Sequence, residues 1–203
     1  MRYKAILFDM DGTLLDTLTD MADAVNHILS VHGWPLRTIE EVRAFVGNGA
    51  RRLMERAVPP EVTGGDFEAV LTEYRDWYQA HNCVATAPYP GIPALLAALA
   101  EAGIKTAVVS NKPDATTKTL AARFFPGLPA FGQRDDVPPK PAPDLVFRAL
   151  ETLGVDAADA IYVGDSEVDV ATARNAGLPL AAVSWGFRGR RALAEAGAAV
   201  IVD

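Results

Sequence analysis

Five short runs of apolar residues, rich in β-branched side chains, punctuate the chain: Tyr3 to Phe8, Thr106 to Ser110, Ala160 to Val163, Leu180 to Val183 and Ala199 to Val202. They are apolar throughout rather than alternating, the pattern of strands covered on both faces. Between them the apolar spacing becomes helical and carries helix punctuation. Pro93 opens Ala94 to Ala102 ahead of Gly103, Asp144 begins Leu145 to Leu153 ahead of Gly154, and Glu167 to Ala176 stops at Gly177. Proline fits a first helical turn and glycine the left-handed residue after the last. Strand and helix in alternation predict an α/β fold, a doubly wound, Rossmann-like parallel sheet.

Residues 16–88 interrupt that alternation. They hold no comparable apolar strand run, and their amphipathic spacing predicts helices near Leu18 to Val31, Thr38 to Val46, Ala50 to Ala57 and Asp66 to His81. Thr38 with Glu41 three residues later has the form of a capping box, and Gly64-Gly65 reads as a flexible break before the last helix. The expected organisation is an α/β core of residues 1–15 and 89–203 carrying a helical insertion at 16–88, which suits one domain plus an insertion in 203 residues.

Composition narrows the classes. Half the residues are hydrophobic, and 16 Gly with 14 Pro are ordinary usage, so the chain can build a core and is not a low-complexity segment. The net charge of −7 has no basic stripe to offset it, which argues against nucleic acid or an anionic membrane as partner. No run of about 18 apolar residues could span a bilayer, and Asp9 and Asp11 interrupt the start before a signal peptide could form. A lone cysteine, Cys83, cannot form an internal disulfide, and a cytoplasmic, reducing location is expected.

In an open parallel sheet, ligands bind beyond the carboxyl ends of the strands, and the polar residues of this chain collect there. The first run is followed by Asp9-Met10-Asp11-Gly12-Thr13 and the second ends in Ser110-Asn111-Lys112. Lys140 lies in the Pro138 to Pro143 segment, and the third run is followed by Gly164-Asp165-Ser166-Glu167-Val168-Asp169. Carboxylates at i and i+2 of an extended chain point to one side, and Asp165 adds a third negative charge from a neighbouring strand. Such a cluster is costly without a cation. Oxygen ligands with open water positions suit Mg²⁺ rather than zinc, and His27, His32 and His81 have no zinc-motif spacing. Lys140 and Ser110 add a positive charge and a hydroxyl, which together describe a site for a phosphoryl group.

Asp9-x-Asp11-Gly-Thr, Ser110-Asn111, Lys140-Pro141 and Gly164-Asp165-x-x-x-Asp169 resemble, in order and spacing, the four motifs of the haloacid dehalogenase superfamily, over the whole chain. The helical insertion is similar to that superfamily's small helical cap. Val46-Gly47-Asn48-Gly49-Ala50 with Leu53 to Ala57, and Ser184-Trp185-Gly186-Phe187-Arg188, resemble bacterial phosphoglycolate phosphatases. The resemblance implies a phosphatase in which Asp9 is the nucleophile and forms an aspartyl-phosphate, while Asp11 is the general acid and then the base. It implies Mg²⁺ held by the Asp9 carboxylate, the Asp11 backbone carbonyl and Asp165. Ser110, Asn111 and Lys140 would hold the phosphoryl oxygens, and Asp169 would support the metal or Lys140 from behind. A carboxylate at position 11 favours an oxygen leaving group over a halide.

Gly47, Asn48 and Gly49, ahead of a helix whose N–H groups can meet a carboxylate, are the candidate specificity contact for 2-phosphoglycolate, with Arg51 and Arg52 as possible charge partners. The same three residues also read as a plain helix-entry turn. Other small phosphorylated metabolites remain open: a sugar phosphate, pyrophosphate or a nucleoside monophosphate. A phosphoacceptor receiver carries no helical insertion, and a non-catalytic phosphate-binding relative would not need every motif position filled. A phosphonoacetaldehyde hydrolase needs a lysine in the cap, and residues 16–88 contain none. Monomer and homodimer both fit.

Overall fold

The structure, a computed structural model, describes residues 3–203; Met1 and Arg2, at the start of the expected core segment 1–15, lie outside it. Strand β1 (Ala5–Phe8) is central to the main sheet. In chain order there follow β2 (Leu15–Asp16), β3 (Ala87–Pro88), β4 (Lys105–Pro113), β5 (Ala130–Gln133), β6 (Ala160–Gly164), β7 (Leu180–Val183) and β8 (Ile201–Val202). The six-stranded parallel sheet runs β5-β4-β1-β6-β7-β8, so the doubly wound α/β sheet expected from the apolar runs is present. Alternate residues of its strands feed two apolar layers. Leu7, Val109 and Tyr162 face one layer with Leu145 and Val146. Phe8 and Val108 face the other with Ile92, Leu120 and Phe125.

The covering helices are α5 (Ile92–Glu101), α6 (Asp114–Phe124), α7 (Asp144–Leu153), α8 (Glu167–Ala176) and α9 (Gly189–Glu195). Neither α6, α9 nor β5 is among the expected elements. Thr116, Thr117 and Thr119 place β-branched residues along α6 and blur its helical signal. β5 is short and takes its place from pairing with β4, Val108 opposite Ala130 and Val109 opposite Phe131.

Between β2 and β3 stand α1 (Leu18–Val31), α2 (Ile39–Phe45), α3 (Gly49–Ala57) and α4 (Gly64–His81). They share their own apolar cluster, with Val25, Leu29, Val42, Met54, Leu71 and Tyr74 buried at its centre. The capping box of α2 forms: the Glu41 N–H donates to Thr38 Oγ1 at 3.2 Å and the Thr38 N–H to Glu41 Oε2 at 2.7 Å. Gly64-Gly65 is not a break ahead of a helix. The two glycines form the first turn of α4, and Gly64 at φ +57° makes the sharp entry that a side chain would resist. The two chain passages to the core pair as an antiparallel ribbon, Leu15 opposite Pro88. Asp20 of α1 secures them by accepting the N–H groups of Val84, Ala85 and Thr86 at 2.8–3.0 Å. Among the described residues no helix is long and apolar enough to cross a membrane.

Candidate active site

Parallel register brings the motif residues to one edge. Phe8 lies opposite Val108 and Val163, so the chain leaves β1 at Asp9 beside the carboxyl ends of β4 and β6. Ser110, Asn111 and Lys112 belong to β4 itself, which is longer than its apolar run.

Asp9 is buried. Its Oδ1 accepts the Met10 N–H at 2.7 Å and lies 2.9 Å from Lys140 Nζ, while Oδ2 makes no hydrogen bond among the described residues. Lys140 is buried too, and its ammonium also donates to Asp169 Oδ1 at 2.8 Å and to the Tyr162 hydroxyl at 3.1 Å. The Asn111 side chain grips the Lys140 backbone from both sides: Oδ1 accepts its N–H at 2.7 Å and Nδ2 donates to its carbonyl at 3.0 Å. The Asn111 amide thus holds the lysine loop, its Nδ2 also reaches the Gly47 carbonyl at 3.3 Å, and the residue lines the cavity between core and insertion. Ser110 Oγ accepts the Lys112 N–H at 3.2 Å, and its own proton has no acceptor among the described residues.

Asp165 is fixed by the Thr13 hydroxyl at 3.2 Å on Oδ1 and the Phe187 N–H at 2.7 Å on Oδ2. A Cβ at Gly12 or Gly186 would collide with it, so glycine at both positions is what lets the chain close around this carboxylate. Asp169 is the third residue of α8 and forms a capping box with Ser166. Its Oδ2 accepts from the N–H groups of Asp165 and Ser166 and from Ser166 Oγ, leaving Oδ1 for Lys140.

Carboxylate oxygens of Asp9, Asp165 and Asp169 lie within 4.8 Å of one another. Burial, with repulsion from Asp169 and Asp11, pushes the Asp9 carboxyl up to about 7 despite the opposing Lys140. Asp165 is also pushed well above the usual carboxylate range, by burial first and then by Asp169 and Asp9. Burial works against the charge of Lys140, but Asp169 and Asp9 outweigh it and hold the amine well above its ordinary value. Asp169 Oδ2 accepts three hydrogen bonds and its Oδ1 pairs with Lys140, whereas each Asp165 oxygen accepts one and Asp9 Oδ2 accepts none among the described residues, so Asp9 and Asp165 are the members of the triad with the most capacity left for a cation. A divalent ion would relieve their repulsion, so the donor set fits one.

Asp11 is turned toward the helical insertion. Its Oδ1 accepts the Thr17 hydroxyl at 2.7 Å, and both its oxygens lie 3.0 Å from Lys112 Nζ. The sequence reading gave no role to Lys112, Thr17 or Asp20; the one available signal was a lysine inside an otherwise apolar strand, which stays buried only when paired.

A cavity of about 250 Å³ opens between core and insertion, with Asp9, Asp11, Ser110, Lys112 and Asp165 below and Met21, Leu53, Tyr74 and Tyr78 above. Gly47 and Gly49 reach its wall, whereas Asn48 does not. Arg51 is paired with Glu68 at 2.8 Å and Arg52 with Glu55 at 2.6 Å, so neither arginine faces the cavity. Arg188 does, while binding the carbonyls of Arg43 at 2.7 Å and Val46 at 2.5 Å and pairing with Glu167 at 3.0 Å.

Residues 6–183 match the haloacid dehalogenase-like hydrolase family. The chain is 36% identical to N-acetylmuramic acid 6-phosphate phosphatase of Pseudomonas aeruginosa, over 100% of this chain and 92% of that one. It is 35% identical to phosphoglycolate phosphatase of Pseudomonas savastanoi pv. phaseolicola, over 98% of this chain and 76% of that one. The crystal structure of an assumed phosphoglycolate phosphatase from Lactobacillus delbrueckii subsp. bulgaricus superposes with a TM-score of 0.94 at 37% identity, over 100% of this chain and 95% of that one. With the family match running from β1 to β7 and phosphatases alike along the full chain, the chain belongs to the haloacid dehalogenase-like hydrolase family, among its phosphoric monoester hydrolases.

Proposed function

We propose that the protein hydrolyses 2-phosphoglycolate through an aspartyl-phosphate on Asp9. The observation that carries this reading is the state of Asp9: one oxygen fixed by Lys140 and the Met10 N–H, the other free at a cavity that also holds the Ser110 hydroxyl. Fixing one oxygen orients the other for in-line attack, so that much of the entropy of bringing nucleophile and phosphorus together is lost before reaction. In the first displacement Asp9 Oδ2 bonds to phosphorus while the ester oxygen leaves, taking a proton from Asp11. In the second, Asp11 takes a proton from water, whose oxygen bonds to phosphorus as the Asp9 carboxylate departs. Lys140 and the Ser110 hydroxyl balance charge on the phosphoryl oxygens, and Asn111 and Asp169 keep Lys140 in place.

Asp9, Asp165 and the Asp11 backbone carbonyl would hold Mg²⁺, whose charge reduces the repulsion between a carboxylate and a dianionic phosphate. Residues 16–88 act as a cap on the core of 1–15 and 89–203, excluding water while Asp9 attacks phosphorus. Gly47 and Gly49, beside the N-terminus of α3, are the contact for a substrate carboxylate.

Phosphoglycolate is supported by the relatives of that name. N-acetylmuramic acid 6-phosphate is the second reading, because the relative so named is matched over 92% of its length. The test is phosphate release with Mg²⁺ on both esters, a sugar phosphate and p-nitrophenyl phosphate, with EDTA and Asp9→Asn as controls. The highest kcat/KM is expected on phosphoglycolate, with a loss of at least about a thousandfold in Asp9→Asn. A preference for the sugar acid replaces the substrate and keeps the chemistry, whereas an active Asp9→Asn removes the nucleophile.

A further inference from the structure

We propose that Lys112 is a positioning residue for Asp11, holding the carboxylate that serves the leaving group; this rests on the acid role assigned to Asp11 above. The Lys112 side chain is 3% exposed. Its ammonium touches both oxygens of Asp11 at 3.0 Å, Met21 Sδ at 4.0 Å and the face of the Tyr78 ring, 4.7 Å from its centre. Desolvating an ammonium is expensive unless a carboxylate pairs with it, and Asp11 is its one carboxylate partner among the described residues. Packing alone would be served by a methionine at this point, between Met21 and Tyr78. The charge therefore has a use, and Asp11 is where that use lies.

The division of labour between the two buried lysines supports this. Lys140 bonds Asp9 and is itself held by Asp169, Tyr162 and Asn111. Lys112 bonds Asp11 and none of those groups. Each aspartate of the Asp9-Met10-Asp11 segment is thus fixed by its own lysine.

Asp11 needs such a tether. It lies just past the end of β1, its side chain is 20% exposed, and its other anchor is the Thr17 hydroxyl at 2.7 Å. A proton donor must stand within hydrogen-bond reach of the leaving oxygen, and a carboxylate free to rotate spends much of its time out of reach. Lys112 and Thr17 hold it from two directions, one from β4 and the other from the passage into α1. The ammonium itself rests on Met21 of α1 and Tyr78 of α4, so seating the helical insertion seats the lysine.

The test uses Lys112→Met, which keeps the side-chain volume and suits the apolar surroundings. It is assayed with Mg²⁺ on an alkyl phosphate and on p-nitrophenyl phosphate, alone and combined with Asp11→Asn. The expected result is a kcat loss of about tenfold or more on the alkyl ester against less than about threefold on the nitrophenyl ester, with KM little changed. Combining the two changes should be no slower than Asp11→Asn alone, because groups acting as one unit do not lose activity additively. Equal losses on the two esters, or losses that multiply in the double variant, overturn the proposal. If Asp11→Asn shows the leaving-group split and Lys112→Met does not, only the role of Lys112 falls. If Asp11→Asn itself slows both esters equally, the acid reading falls and takes this one with it. Should Lys112→Met not give folded protein by circular dichroism, Lys112→Gln goes through the same comparison, with the same split required.

Discussion

Asp9 is a buried carboxylate whose ionisation the fold disfavours. Lys140 stabilises its ionised form, yet burial and two neighbouring aspartates prevail and move its carboxyl to about 7 from an ordinary 3.8. The consequence for stability follows from proton counting. Below about pH 4 the group is protonated in both folded and unfolded chains and contributes nothing. Between about pH 4 and pH 7 the unfolded chain gives up the proton and the folded one keeps it, so stability falls as pH rises, and the loss is complete above about pH 7. Many other groups titrate in that window, so the useful quantity is a difference. In EDTA, Asp9→Asn should become more stable relative to wild type on going from about pH 5 to about pH 8, as measured by urea unfolding at each pH. A difference that stays constant across that range would mean the Asp9 carboxyl is not raised.

The helical insertion is joined to the core by elements that are short but well secured. β2 and β3 are two residues each, too little to be stable alone, and the clasp beside them is Asp20 with its three N–H partners 64 to 66 residues away. Removing that carboxylate leaves three backbone donors beside these passages without an acceptor. Asp20→Ala should therefore lower the unfolding free energy by about 3 kcal/mol, and Asp20→Asn by less, since its amide oxygen still accepts. A loss under about 1 kcal/mol by urea unfolding would show that water replaces the clasp.

This element also shows what a sequence can and cannot disclose. The α2 capping box was readable because Thr38 and Glu41 are three residues apart, and the strands of the sheet centre were readable because each is an unbroken apolar run. Asp20 and Thr17 were not, because nothing local distinguishes a buried paired polar group from a surface one until the chain is folded, and Lys112 has only its place in an apolar strand to mark it. β5 was missed for a related reason: its pairing with β4, not its four residues, makes it a strand. Asn111 was found as a site residue but not in its actual contact, since its partner, the Lys140 backbone, is 29 residues away.

At the scale of the whole molecule the sheet acts as a charge-concentrating device. Parallel pairing of β1, β4 and β6 carries residues from the first, middle and last thirds of the chain to one edge, where three buried carboxylates face the Lys140 ammonium while the second buried lysine, Lys112, pairs with Asp11. The fold bears that repulsion, and a cation bound between Asp9 and Asp165 would remove much of it in the folded state while having no comparable site in the unfolded chain. Binding to the native state alone at a hundred times Kd adds about 2.7 kcal/mol. For a chain of this size, about 2–4 °C per kcal/mol turns this into a rise in Tm of about 5–10 °C. Saturating Mg²⁺ should produce a rise of that order in wild type at about pH 8, read by scanning calorimetry against an EDTA control. In Asp165→Asn the Mg²⁺-dependent rise should shrink to less than about 2 °C, while its Tm in EDTA should equal or exceed that of wild type, because a repelling buried charge is gone and the amide still fits between Gly12 and Gly186. An equal Mg²⁺ response in the two proteins would place the ion elsewhere, and a wild type indifferent to Mg²⁺ would leave the carboxylate cluster to be held by Lys140 alone.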